Sequence, residues 1–199
     1  MVFISIGKKM IRKSKGGRRN LRRSQNRYND EFERLKRIIY KSRNWPIHEC
    51  IINESWKENG LADITISRLQ PNNRIVFGSY LVDVFCLGLK NTFCNADFTK
   101  SKYQQIKEKT YRESPPINCS HSSAHTIIYG GIEFASSLGF KPHEDFSLSK
   151  YILDEPGSFE KDESIEFGEN GKPLYIQGPY DDPNVVVDTL SKNIDKIEK

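Results

Sequence analysis

The chain has 199 residues, 36% of them apolar and 11% aromatic, which is enough for one sizeable core but too few for two full-size domains. Residues 1–43 carry 15 basic and three acidic side chains, a net charge of +12, whereas the rest of the chain sums to −7. The sequence contains no run approaching the roughly 18 apolar residues of a membrane-spanning helix, no signal-peptide core and no C-x-x-C pair, so we expect no membrane contact and four reduced thiols.

Residues 1–27 are predicted to form a flexible basic arm, because they contain too few apolar side chains to fold alone. The candidate nucleic-acid-binding residues of this arm are Lys8, Lys9, Arg12, Lys13, Lys15, Arg18, Arg19, Arg22, Arg23 and Arg27. Its arginines from Arg18 to Arg23, with Asn26, would share one side of a helix, and this short run resembles the arginine-rich motifs that fold on RNA. A localisation signal, a ribosome-like tail and a solvated arm remain alternatives.

Residues 28–199 are predicted to form one α+β domain. Tyr28, Phe32, Leu35 and Ile39 recur at helical spacing and predict a first helix, with Arg34, Arg37 and Lys41 on its opposite face. A second helix is predicted over 46–59, because a proline stands at its start and Gly60 at its end.

A long antiparallel hairpin is predicted next. Residues 62–69 alternate apolar and polar side chains, a Pro-Asn-Asn turn follows, and residues 75–87 form the long second strand, which Gly88 should end. The fold class is therefore α+β, with an antiparallel sheet built on this hairpin and packed by several helices.

The remaining elements are predicted from caps and periodicity. Helices are expected over 99–111 and 120–138, and an Asp-Pro pair at 182–183 opens a last helix. Lysines on the 99–111 helix form a second, weaker basic patch. Between the last two helices, 156–170 is an acidic surface segment, and Asn170-Gly171 predicts a type I′ turn in a short hairpin over 165–177.

Asp83 and His125 are the candidate catalytic residues. Asp83 is a carboxylate in an otherwise apolar strand, so it must be paired, hydrogen-bonded or bound to a cation. Its hairpin is similar to the one that holds Mg²⁺ in RNase H-like nucleases, but 62–69 offers only Asp63 as a first acid, and that family is not assigned.

His121 and His125 stand at i and i+4, a spacing that metal sites use, with Cys119 and His143 nearby.

The charge division predicts a cytoplasmic nucleic-acid-binding protein, with RNA slightly favoured over DNA, whose arm supplies the affinity. No cofactor is predicted for that function. One alternative is a metal-dependent hydrolase, a nuclease that would use Mg²⁺ at Asp83 with one or more of His125, Glu54 and Glu133. Another is an interaction subunit whose arm docks onto a ribonucleoprotein or another multiprotein complex. The metal ligands stay unknown.

Overall fold

The computed structural model describes residues 18–193, with side chains from residue 26 onward. It shows an α+β architecture, as predicted, with these elements in chain order: α1 Arg18–Lys41, a 3₁₀ turn Ser42–Asn44, β1 Ile47–Asn53, α2 Trp56–Asn59, β2 Leu61–Leu69, β3 Ile75–Asp83, β4 Gly88–Phe98, α3 Lys100–Thr110, β5 Pro116–Asn118, α4 His121–Ser137, α5 Phe146–Ser149 and α6 Pro183–Asn193.

The five strands form one antiparallel sheet in the order β4-β3-β2-β1-β5. The first four strands form a meander, and β5 returns to pair with β1, where Ile51 lies opposite Asn118. The β2–β3 pairing is the predicted hairpin, and its register is regular from Leu61 opposite Asp83 to Leu69 opposite Ile75. The predicted hairpin thus forms the middle of the sheet, with β4 on one side and β1 and β5 on the other.

The two faces of the sheet are covered by different helices. The larger core packs Leu35 and Ile39 of α1 and Ile127 and Ile128 of α4 against the sheet. A smaller cluster on the other face contains Phe77 and Phe98 with Tyr103 of α3. Alternation along each strand sends successive side chains to opposite faces, which explains why one hairpin supplies both clusters.

Three predicted helices are confirmed, each with its cap. Thr99 accepts from the backbone N–H of Lys102 at the start of α3, and Ser120 accepts from that of Ser123 at the start of α4. Asp182 accepts from the N–H of Asn184 at the start of α6. Side-chain caps of this kind satisfy donors that a helix leaves unpaired in its first turn.

The first helix begins at Arg18, well before the position expected near Tyr28. Residues 18–27 of the predicted arm are therefore helical, and residues 1–17, which include Lys8, Lys9, Arg12, Lys13 and Lys15, lie outside the described part of the chain. Once the buried turns at Leu35 and Ile39 nucleate a helix, its extension toward the N-terminus costs little free energy, because arginine, leucine and glutamine have high helix propensity.

The helix predicted over 46–59 is wrong. Residues Ile47–Asn53 form strand β1, and only Trp56–Asn59 are helical, with Gly60 in the left-handed conformation at their end (φ 70°). Because β1 lies between β2 and β5, Cys50 to Asn53 are all buried. Because both faces of this strand are buried, its side chains do not alternate between apolar and polar, which is the pattern by which a strand is recognised. Its run of apolar residues therefore resembled the buried stripe of a helix.

The second strand of the hairpin is shorter than predicted. It ends at Asp83, and Gly88 begins β4 instead of ending β3. Strand β4 was missed because two register shifts against β3, at 75–77 and 81–82, disturb its alternation. The hairpin over 165–177 also does not form: only Glu169 and Lys172 make a bridge, although φ is positive at both Asn170 and Gly171, as in a type I′ turn.

The four cysteines are free thiols, as expected. Among the described residues, helices fall short of the length and apolar character needed to cross a membrane.

Candidate functional site

Helix α1 is fixed to the body through its C-terminal half. Leu35 and Ile39 are buried in the larger core, and Arg34 donates to Asp97 at the end of β4 over 2.5 Å. Just after the helix, Arg43 donates to the carbonyl of Leu153 over 2.7 Å and pairs with Glu155. Leu35 and Ile39 hold one face of the helix against the sheet, and the other side, from which Arg34 reaches Asp97, is exposed to solvent.

The exposed side of α1 carries a basic face, which we define as Arg27, Arg37 and Lys41. The three residues fall within an arc of about 80° at the 100° rotation of an α-helix, together with Arg34 and Asp30. All three are exposed, and no ion pair joins them to another residue in the described part of the chain. Their charge is therefore available to a partner.

An aromatic pair lies beside this basic face. Tyr40 is half exposed, and its ring meets that of Tyr151 edge to face with centroids 4.6 Å apart. Arg43 and Lys150 each lie within 6 Å of the Tyr151 ring centre, at 5.8 and 5.4 Å. The half-exposed Tyr40 ring, with these cations around the partly buried Tyr151 next to it, offers a surface on which a base can stack while its phosphate is neutralised.

Two tyrosines that stand near basic residues in the sequence are not available for stacking a base. Tyr103 and Tyr111 are buried, and their hydroxyls donate to Glu49 (2.7 Å) and to Thr65 (3.0 Å). Tyr28 and Tyr40, both on α1, keep a large exposed area.

The second basic patch, on α3, is largely occupied. Lys107 forms an ion pair with Glu49 over 2.8 Å, and Lys102 lies 4.6 Å from the centre of the Phe98 ring. Lys100 and Lys109 remain exposed on the helix. This patch is therefore weaker than the α1 surface.

Asp83 closes the turn between β3 and β4. Its Oδ1 accepts from the backbone N–H groups of Phe85 (2.9 Å) and Cys86 (3.0 Å). Burial raises the pKa of this carboxyl, and those backbone donors and the Lys90 ammonium oppose the rise. Asp83 lines a cavity of about 170 Å³, but Lys90 in the same cavity pairs with Asp181 over 2.8 Å. The backbone contacts give this carboxylate a structural role.

His125 is fully buried and fully bonded. Its Nδ1 lies 2.6 Å from the carbonyl of His121, and its Nε2 accepts from the backbone N–H of Asp154 over 2.8 Å. Burial lowers the pKa of the imidazole, so the ring is held neutral. With both nitrogens engaged, no lone pair is left for a metal ion or a substrate proton.

The structure does not bring the predicted metal ligands together. Within residues 18–193, no group of three or more His, Cys, Asp or Glu side chains could hold a metal ion. The imidazole of His143 lies 3.9 Å from the carboxylate of Asp145, two residues ahead, and Glu54 contacts Pro115 through its backbone. The donors proposed from sequence for Mg²⁺ or zinc therefore do not converge in this part of the chain.

Sequence reasoning missed Tyr151 and Lys150. They form a basic–aromatic dipeptide, the reverse order of Tyr40 and Lys41, and this pairing of residue types is a signal available in the sequence. Their placement beside α1 depends on contacts between residues more than 100 positions apart, such as that of Arg43 with Leu153. Only the fold could show that the two dipeptides meet.

Comparisons with protein-family models, with curated proteins and with solved structures give no match. The functional argument rests on the charges and contacts of α1 and its surroundings.

Proposed function

We propose that this protein binds nucleic acid, RNA ahead of DNA, through the basic face of α1 and the arm that precedes it. The observation that carries the proposal is a 24-residue helix anchored on one side, with Arg27, Arg37 and Lys41 exposed and without an ion pair in the described part on the other. Neutralising a phosphate with each of these cations would release condensed counterions, which drives association.

The sequence of α1 adds a second reason. The first turn of the helix contains no acidic residue and begins with two arginines. Positive side chains are unfavourable there, because the N-terminal end of a helix already carries partial positive charge. A polyanion would relieve this repulsion and stabilise the first turns of α1 against fraying. RNA is favoured because arginine-rich segments can order on it.

We place this activity in the cytoplasm, where four thiols stay reduced. Two alternatives give distinguishable results. A nuclease would shorten the RNA in the presence of Mg²⁺ and stop when Asp83 is changed to asparagine. An interaction subunit would bind neither RNA nor DNA but would lose its protein complex when the basic face is removed.

The test compares two triple variants of the full-length protein. One replaces Arg27, Arg37 and Lys41 with alanine, and the matched control replaces the exposed Lys141, Lys172 and Lys192. Both variants lose three positive charges, so a difference in affinity between them shows that the position of the charges matters. Affinity is measured for labelled single-stranded RNA, duplex RNA and duplex DNA across a salt series. Truncation at Tyr28 would cut α1 itself, so substitution is the sharper choice.

The basic-face variant should bind more weakly than the control, with a salt slope reduced by about one for each phosphate that is no longer neutralised. If the arm and helix together make six or more phosphate contacts, wild-type affinity should fall about a thousandfold between 50 and 200 mM salt. Equal affinities for the two variants, or a flat salt response, would reject the proposal.

A further inference from the structure

Cys50 and Cys119 face each other across β1 and β5. Ile51 of β1 lies opposite Asn118 of β5 in an antiparallel ladder, so the next pair in register is Cys50 and Cys119. The backbone N–H of Cys119 donates to the carbonyl of Cys50 over 3.0 Å, which continues the ladder by one residue. Directly opposite residues in such a hydrogen-bonded pair have Cα atoms about 5.5 Å apart, and disulfides span this distance.

The two thiols differ in exposure and in acidity. Cys119 is partly exposed and immediately precedes Ser120, the cap of α4, whereas Cys50 is buried. A hydrogen bond with the Cys50 thiol lowers the pKa of Cys119, and the backbone N–H of Ala124 acts in the same direction against burial. The same thiol–thiol hydrogen bond, together with burial, raises the pKa of Cys50.

The other two cysteines lack these properties. Cys86 and Cys94 are buried, and burial raises the pKa of each to about 12. The thiolate is the reactive form of cysteine, so we expect both thiols to react with peroxide more slowly than Cys119, whose pKa is lowered. They serve as internal references for the reactivity of Cys119.

We propose that Cys119 is a peroxide-reactive site and that Cys50 is its resolving thiol. The Cys119 thiolate attacks a hydroperoxide, the O–O bond breaks, and the leaving oxygen takes a proton to form water or an alcohol. Cys119 is then a sulfenic acid. The Cys50 sulfur attacks it, loses its proton, and releases the hydroxyl of the sulfenic acid as water. The peroxide is reduced, two thiols are oxidised, and one disulfide forms.

The oxidised state would bond the edge of the sheet covalently. Strand β5 has only three residues and pairs with β1 alone. A Cys50–Cys119 bond would secure β5 to β1 and fix the start of α4, which begins two residues after Cys119. This site lies outside the basic face of α1, and its chemistry is independent of the proposed nucleic-acid binding.

The experiment treats the reduced full-length protein with equimolar hydrogen peroxide, blocks remaining thiols and maps the peptides without reduction. We expect a cross-linked pair of peptides that contain Cys50 and Cys119, with Cys86 and Cys94 alkylated. In a Cys50→Ser variant, Cys119 should accumulate as a sulfenic acid that dimedone traps. A Cys94→Ser variant is the matched control and should form the same cross-link as wild type.

Before oxidation, Cys119 should react with iodoacetamide at least about tenfold faster than Cys86 or Cys94 in the folded protein. Peptides that remain uncrosslinked after peroxide, a dominant intermolecular Cys119 dimer, or Cys119 alkylation no faster than that of Cys86 would each overturn the proposal. The wild-type map decides the question even if the Cys50→Ser variant fails to fold, and Cys50→Ala gives a second trapping variant.

Discussion

Arg68 of β2 donates to the carboxylate of Asp154 over 2.6 Å, and His125 accepts from the backbone N–H of the same aspartate. Arg68 is 3% exposed, and its other nitrogens donate to the carbonyls of Ile152 (2.7 Å) and Trp45 (2.9 Å). One guanidinium thus joins β2 to the segment after α5 and to Trp45, two residues before β1. This arrangement is a buried junction between the sheet and its connecting segments.

Replacing Arg68 with leucine should destabilise the fold by about 3 kcal/mol, because it leaves three carbonyls, including that of Arg43, without this donor and Asp154 without its cation. Asp154 is partly exposed and can be hydrated, which keeps the loss from being larger. Urea unfolding of Arg68→Leu measures the change. The control is Arg112→Leu at an exposed position, where we expect less than about 0.5 kcal/mol. A loss below about 1 kcal/mol at Arg68 would contradict the junction.

Asp63 should make stability depend on pH. Burial raises the pKa of its carboxyl from 3.8 to about 6, although the Ser79 hydroxyl opposes the rise. Between these two values the folded state keeps a proton that the unfolded state releases. The contribution to stability is therefore complete below about pH 4, falls as pH rises, and is lost above about pH 6.

The Asp63→Asn variant removes this dependence, so it should gain stability relative to wild type between about pH 4 and pH 7, by at most about 3 kcal/mol. Urea unfolding at several pH values gives the difference in free energy of unfolding between the variant and wild type. The pH dependence that His125 contributes has the opposite sign, and it cancels in this difference because both proteins contain it. Asp188→Asn, at an exposed site on α6, should give a flat difference. A flat difference for Asp63→Asn as well would show that its pKa is not raised.

Gly131 should not tolerate alanine, although alanine favours helices. A Cβ at this position would lie 2.6 Å from Cγ1 of the buried Val82 and close to the backbone of Gly88. Overpacking of this kind costs about 1–3 kcal/mol, more than the gain in helix propensity returns. Thermal unfolding of Gly131→Ala measures the loss. Ser136→Ala, at an exposed position on the same helix, should be nearly neutral.

Tyr40 should contribute to single-strand binding if the proposed function is correct. Loss of one stacked base costs about 1–3 kcal/mol, so Tyr40→Ala should weaken binding to single-stranded RNA about fivefold or more, whereas Tyr40→Phe should retain affinity. Tyr180→Ala is the control, because that ring is almost fully exposed and lies far along the chain from α1. Equal effects on duplex and single-stranded RNA would argue against stacking.

The sequence predicted helices well where the signal is local. Thr99, Ser120 and Asp182 each accept a hydrogen bond from a backbone N–H two or three residues ahead. The cap residue and its donor are therefore close in the sequence, and the cap can be predicted from it. The Asp83 turn is equally local, since its donors are the second and third residues ahead. The same local acceptor chemistry favours a turn at Asp83, and a catalytic role for this carboxylate stays a prediction.

The sequence failed where the environment comes from distant residues. Strand β1 is central because β2 and β5 pair with it, and β5 is contributed from more than 60 residues away. His125 resembles a metal ligand in sequence, but its Nε2 is occupied by the N–H of Asp154. Helical periodicity predicted Arg37 and Lys41 of the basic face, but it also predicted Arg34, which pairs with Asp97, and it placed Arg27 in the arm. Tyr151 beside this face required the fold.

The topology of the sheet also predicts the order in which its strands pair during folding. Strands β1 to β4 pair with sequence neighbours, so each hairpin closes a short loop at small entropic cost. Strand β5 must wait until α3 and the long intervening segment have formed, because its only partner is the first strand of the meander. We therefore expect the meander to be protected from hydrogen exchange early during refolding, with the amides of β5 protected last.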